Sequence, residues 1–406
     1  MSTGTNERAG SRGLRFDPEG QRAVSLSESV PRASYSWFRG AHTNFNPTVE
    51  ALNKPGAVED YVLKGWAPPE PLIGPDTKIV AFGSCFAANI TEWLSKRNFS
   101  VLTRKDGEYA DAYIVRFGEG MVNSSVLRQQ FEWAFEGRVF NEELWHGYDA
   151  QAFGYDESVR LRTKAVFDSA DVFIITLGLS EVWYDEVTGG VFWRAVPADK
   201  YDPSRHKFRV LSVAENKENI RAIVDLIAKH KPGAKLVFTL SPIPLVATFR
   251  PVSCITANAV SKASLRVSLD EVLRELSLPW VYYWPSYEIV MDVFGNRWKD
   301  DRRHIRQPIL SFIMTLFENV WCHGSTPDMS INEAWIRARA ATGAIPVGIM
   351  RAIDGDDSDR LGLLMSRLTK KRASDEIALI DELVREVALA KPTSNVALWS
   401  KTRHAA

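Results

Sequence analysis

Short apolar runs alternate with longer stretches of helical spacing through the middle of the chain. Lys78–Phe82 (KIVAF) is an apolar run closed by Gly83, which predicts a buried strand. Over 86–97, Phe86, Ile90, Trp93 and Leu94 recur at helical spacing with Asn89, Glu92 and Lys96 between them. A second strand is predicted over 99–103 and a helix over 124–137, ended by Gly137. Asp171–Leu177 (DVFIITL) is the strongest strand pattern and runs into Gly178. Val182–Tyr184 and Val191–Trp193 flank DEVTGG and read as a β-hairpin or an excursion. A helix over 213–230 stops at Lys231-Pro232-Gly233, followed by the run Lys235–Leu240. A helix over 257–276, a strand over Trp280–Tyr283 and a helix over 308–321 complete the alternation.

Strands alternating with helices predict an α/β fold, a doubly wound, three-layer, mostly parallel sheet. Three segments follow: an N-terminal arm and wrapping segment over 1–75, an α/β unit over 76–325, and a helical C-terminal extension over 326–406. The extension carries helical patterns at 332–341, 358–371 and 374–390 around Asp354-Gly355-Asp356-Asp357, which does not continue as a calcium loop.

Composition narrows the function classes. Lys+Arg and Asp+Glu number 50 each, which argues against a general nucleic-acid binder and a polybasic membrane-surface protein. Three cysteines, Cys85, Cys254 and Cys322, without a CxxC pair, argue against a disulfide framework or structural zinc. With no secretory leader and no long apolar run, the expectation is a reduced, cytoplasmic protein. Neither GxGxxG nor GxxxxGK[ST] follows a predicted strand, so nucleotide binding is disfavoured.

In a doubly wound sheet, ligands bind beyond the carboxyl ends of the strands. Those ends carry Gly83-Ser84-Cys85, Gly178-Leu179-Ser180-Glu181, Ser241-Pro242 and the segment after Tyr283. Ser84 stands between a strand and a helix, where unpaired N–H groups and the positive end of the helix dipole suit an oxyanion. Its hydroxyl requires a base. Of seven histidines, His304 alone combines a suitable place with a carboxylate, Asp301, three residues before it. That arrangement orients one ring nitrogen and leaves the other for Ser84. The competing readings are Ser84 as a helix cap, Cys85 as the nucleophile, Asp300 as the orienter and His304 as a surface residue. A basic cluster, Arg297, Lys299, Arg302, Arg303 and Arg306, surrounds the base and is either a solvated face or a guide for an anionic substrate.

Gly83-Ser84-Cys85-Phe86-Ala87 spells GSCFA, and the chain resembles the bacterial GSCFA family, itself similar to SGNH (GDSL-like) hydrolases and acyltransferases. Four further blocks carry the resemblance: Thr176-Leu177-Gly178 with Trp183-Tyr184, Thr239 to Pro242, Asn258 to Leu265 (NAVSKASL), and Trp284 to Glu288 continuing to Asp301 and His304. It spans roughly 76–310 and implies Ser84 as nucleophile, His304 as base and Asp301 as its orienter. It also implies an oxyanion hole from the Ser84 N–H, a glycine N–H assigned to Gly178, and a side-chain amide assigned to Asn123. Asn123 competes with a cap role for the helix at 124–137. Ser180 stands where SGNH proteins carry Asn, and Ile305 where the family carries Pro. Trp183, Trp284 and Arg303 are the candidate substrate contacts, with Trp193 and Trp298 in similar segments. The expected activity is that of a serine-dependent esterase or O-acyltransferase on an acyl ester of a carbohydrate or polysaccharide precursor, with no metal or organic cofactor called for. The alternative is a non-catalytic binding or assembly protein of the same fold, its partner surface on the C-terminal helices.

Overall fold

A computed structural model describes residues 14–16, 23–25, 42–325, 327–370 and 374–404. The arm expected over 1–35 lies outside the described residues, apart from Leu14–Phe16 paired antiparallel with Ala23–Ser25. The chain divides into two compact units, Met1–Ala57 and Val58–Ala406.

The centre of the larger unit is a four-stranded parallel sheet of β1 (Ile79–Phe82), β2 (Val172–Leu177), β5 (Lys235–Leu240) and β6 (Val281–Trp284), hydrogen-bonded in that order. The strand expected over 99–103 is reduced to one parallel bridge, Val101 beside Ile79, on the free edge of β1. The spatial order is therefore 2-1-3-4-5 in chain sequence, the flavodoxin-like arrangement, and connections leave β1 and β2 in opposite directions. The hairpin expected within 182–193 is also rearranged. Strand β3 (Glu181–Asp185) pairs antiparallel with β4 (His206–Val210), and Val191 adds a single bridge to Tyr184.

The runs are apolar at every position because both faces are covered. Val80 and Phe82, Phe173, Ile175 and Leu177, and Leu236, Phe238 and Leu240 join one core with the helices on that side. Alternate residues Ile79, Ala81, Ile174 and Val237 are equally buried on the opposite face. Helix α2 (Ser124–Glu136) packs against both α3 (Glu157–Ser169) and α4 (Val213–His230), and α4 packs in turn on α5 (Cys254–Leu276). Helix α1 (Cys85–Ser95) packs instead with α6 (Gln307–Trp321), where Trp93 Nε1 donates to Glu318 Oε2 at 2.8 Å.

Local chemistry sets the helix starts. Ser212 and Glu215 form a reciprocal capping box at α4, and Asn123 caps α2, which ends at Gly137 in a left-handed turn with φ +68°. Among the described residues five α-helices follow α6: α7 (Ile331–Arg339), α8 (Val347–Asp354), α9 (Ser358–Lys370), α10 (Ser374–Ala390) and α11 (Asn395–His404). The sequence pattern marks α7, α9 and α10 but not α8 and α11. In the acidic loop, the Asp356 carboxylate accepts the N–H groups of Asn395 and Val396, and so serves as the cap of α11. Among the described residues no helix is long and apolar enough to cross a membrane.

Candidate active site

The chain reverses from β1 into α1 through Gly83 and Ser84. Gly83 has φ +124°, and a Cβ there would lie 2.3 Å from the Thr176 carbonyl oxygen on β2, so no side chain fits. Ser84 is extended (φ −156°), buried, and caps α1, with Oγ accepting from Phe86 N at 3.1 Å. Cap and nucleophile are therefore compatible readings of one hydroxyl, since the oxygen keeps a second lone pair and its own proton. No protein acceptor takes the Ser84 N–H among the described residues.

Ser84 lines a cavity of about 340 Å³ at the switch point between β1 and β2. Asn123, Gly178, Trp183, Trp193 and Arg303 share that lining, with Arg194, Glu181 and several phenylalanines. Thus four of the expected contacts (Asn123, Gly178, Trp183 and Arg303) gather around one space with the serine. Asn123 Oδ1 caps α2 by accepting from Val126 N at 2.9 Å, while its Nδ2 has no protein partner among the described residues. The cap thereby orients the amide and leaves the NH₂ group free.

Two expectations are corrected. The Gly178 N–H donates to Val122 O at 2.7 Å, so it is not an open oxyanion donor. Trp284 does not line the cavity. Its indole is fully buried at the end of β6, edge-on to Phe317 and Trp321, and serves the core between the sheet and α6. Trp298 is likewise absent from the lining and is bridged to Ile305.

His304 and Asp301 form a dyad on the loop that precedes α6. Asp301 Oδ2 meets His304 Nδ1 at 2.5 Å, and Oδ1 accepts the backbone N–H groups of Arg303 and His304, each at 2.9 Å. The hydrogen bond to His304, then those two N–H groups, hold the Asp301 carboxyl well below the usual carboxylate range. His304 Nε2 is left without a protein partner among the described residues. Both side chains are about half exposed, 53% and 47%. No hydrogen bond joins His304 to Ser84. The loop reaches the cavity through Arg303, the neighbour of His304 in the chain.

Asp300 makes no comparable contact with His304, so the two carboxylates are separable. Asp301→Ala is expected to lower kcat/KM for an acyl ester by about 10²–10⁴-fold, and Asp300→Ala by less than about threefold. Equal losses in the two variants, measured by steady-state hydrolysis, would remove Asp301 from the orienting role.

Cys85 is a poor rival to Ser84. Burial first, and then the nearby Glu119, push its thiol above the ordinary range, against smaller opposing effects of Arg303 and Lys262. Ser180 is fully buried and ties its loop to α5, its N–H donating to Ser261 Oγ at 2.6 Å and its own Oγ donating to Ser261 O at 3.0 Å. It has a structural post away from the cavity lining. Glu181 receives the Thr248 hydroxyl at 2.8 Å and fastens the 241–249 loop over the cavity.

The residue most clearly missed from sequence is Lys262. It is buried within α5, and its Nζ donates to Gly178 O at 2.6 Å and Ser241 O at 2.7 Å, joining the carboxyl ends of β2 and β5. No carboxylate accompanies it, and burial pushes its pKa down to about 7. The SKA block is the only sequence signal, and it does not say which way the side chain points. The basic cluster also divides: Arg297 Nη1 donates to three backbone carbonyls and Arg306 to Asn296, whereas Arg303 turns to the cavity. Glu142, Asp185 and His206 each bring one possible ligand atom to within 4.8 Å of the others. The Arg205 guanidinium already bridges Asp185 (2.9 Å) and Glu142 (2.6 Å), which supplies the positive charge there.

Fold and site together define an α/β protein of flavodoxin-like strand order, consistent with SGNH proteins, with a serine at the switch point of the sheet. The family model described as GSCFA family matches residues 78–317. The chain belongs to the GSCFA family, which points to a hydrolase-like function. No curated protein matches the chain.

Proposed function

We propose that this protein is a serine-dependent esterase or O-acyltransferase acting on an acyl ester of a carbohydrate or polysaccharide precursor. The observation that carries this reading is Ser84 at the N-terminus of α1, opening into a cavity walled by Trp183, Trp193, Arg194 and Arg303. Aromatic faces suit sugar rings. Arg194 Nη1 and Arg303 Nε are buried without a hydrogen-bond partner among the described residues, so the two guanidinium groups favour an acceptor-rich or anionic ligand.

Ser84 Oγ attacks the ester carbonyl carbon while its proton passes to His304 Nε2. The oxyanion is held by the Ser84 N–H and Asn123 Nδ2, with the dipole of α1 behind them. The C–O bond of the ester breaks as the leaving alcohol takes the proton from His304. Water or a sugar hydroxyl then attacks the acyl-enzyme, gives its proton to His304, and the proton returns to Ser84 Oγ. Asp301 stays ionised throughout and fixes the imidazole.

A non-catalytic binding protein of the same fold is the second reading, favoured by the missing Ser84–His304 hydrogen bond. Reaction with a fluorophosphonate separates the two. Stoichiometric labelling mapped to Ser84, and lost on His304→Ala, is expected of the enzyme. An unreactive Ser84 in the folded protein would leave the binding reading.

A further inference from the structure

Ser84 borders a second cavity. This space, about 450 Å³, lies on the other side of the serine, between α1 and the 103–119 segment. Ser84 and Glu119 line both cavities. The two spaces differ in chemistry. The floor of the second is apolar: Ala81, Phe82, Ala88, Ile114 and Val115. Its wall hydroxyls are largely satisfied within the protein, for Thr103 Oγ1 accepts from Ala81 N at 3.2 Å and meets Thr91 Oγ1 at 3.4 Å. Among the described residues, Ser95 Oγ is the one buried polar atom of this wall without a partner.

The charged rim is neutralised in pairs. Lys96 meets Glu92 at 2.5 Å, Arg104 meets Asp106 at 2.7 Å and Lys105 meets Glu119 at 2.8 Å. An ionic ligand would have to break these pairs, and a sugar would find few free hydrogen-bond partners. A neutral, flexible, apolar group meets neither cost.

Building on the esterase reading, the geometry points to this second cavity as the binding site for the acyl chain of the donor ester, with the aromatic cavity left to the alcohol part. The ester bond then straddles Ser84. In the acyl-enzyme the chain stays in the apolar cavity, while the leaving alcohol departs from the aromatic one and an attacking hydroxyl enters there. A nucleophile placed between two separately lined spaces suits transfer as well as hydrolysis, since acceptor exchange does not disturb the bound acyl group.

The test is a chain-length series of p-nitrophenyl esters, from acetate to decanoate, with the full chain. Wild-type kcat/KM is expected to rise by up to roughly fourfold per added methylene until the cavity is filled. Ala88 and Thr91 lie one turn apart on α1 and line only this cavity. Ala88→Phe and Thr91→Phe should each lower octanoate kcat/KM at least tenfold while acetate changes less than threefold. A wild-type profile that falls with length would overturn the proposal. So would two folded variants that keep the wild-type profile, or that lower acetate and octanoate alike. Failure of the underlying reading looks different: no ester is turned over at any length and Ser84 is not labelled by the phosphonate, and the acyl-site proposal falls with it.

Discussion

Ser84→Ala is expected to abolish turnover of acyl esters, with a loss in kcat of about 10⁴-fold or more, while the protein stays folded. The substitution removes the only atom proposed to bond to the acyl carbon. It leaves the extended backbone (φ −156°) undisturbed, because alanine adopts that conformation freely. The structural cost is the cap bond from Phe86 N to Ser84 Oγ, worth about 1 kcal/mol. A melting curve close to wild type together with vanished activity would therefore assign the loss to chemistry. Cys85→Ala is the control, since the thiol next door sits in the same first turn and is held protonated by burial. It should retain most of the turnover. Ser84→Ala with retained activity, paired with an inactive Cys85→Ala, would move the nucleophile to the thiol.

The second large effect concerns stability and pH at Lys262. In the unfolded chain this amine has the ordinary lysine pKa near 10.5, and in the folded protein burial lowers it to about 7. Between these values the unfolded chain binds one proton more than the folded protein, so folding becomes more favourable as pH rises. Below about 7 both states hold the proton and the penalty is fully present. It is relieved progressively above that pH. Each pH unit inside the window is worth up to about 1.4 kcal/mol. Lys262→Met removes the titrating group while keeping an unbranched chain of similar volume. The stability difference, wild type minus variant, should rise by about 2–3 kcal/mol between pH 7 and pH 9.5. Urea unfolding of both proteins at the two pH values measures it, and parallel pH dependences would show that Lys262 does not titrate in this window. The variant also leaves Gly178 O and Ser241 O without their donor, so the loops that carry one wall of the cavity are expected to loosen.

The legible part of the fold was the part governed by local spacing. KIVAF, DVFIITL and KLVFTL are apolar at consecutive positions, and each became a parallel strand buried on both faces. Helix starts and stops followed from side chains close in sequence, Asn123 with Val126 and Ser212 with Glu215. What escaped were features whose partners are distant. The segment at 99–103 carries a strand pattern, yet it forms a single ladder bridge with β1, Val101 beside Ile79, because edge pairing depends on how the chain arrives. Strand β3 takes its longer ladder from the segment at 206–210 and keeps one bridge to its sequence neighbour, Tyr184 beside Val191. Helices α8 and α11 also escaped: α8 packs on α9, and α11 on α10 and α9, so they are held by contact with neighbouring helices rather than by a spacing of their own.

The site divides in the same way. By itself the sequence determined a strand–Gly–Ser–helix turn, a carboxylate three residues before a histidine, and an asparagine able to cap a helix. Each rests on covalent neighbours, and each is realised: the Asp301–His304 contact at 2.5 Å spans three residues. Only the tertiary structure decided that Asn123, Trp183 and Arg303 share a cavity with Ser84, that Trp284 belongs to the core, and that Val122 occupies the Gly178 N–H. It alone decided that a lysine within α5 ties two strand ends together. The physical reason is that burial and hydrogen-bond partners at the switch point are set by elements up to about two hundred residues apart. Hydrophobic period and capping chemistry act within a few residues, so they mark where each element begins without revealing what it will meet.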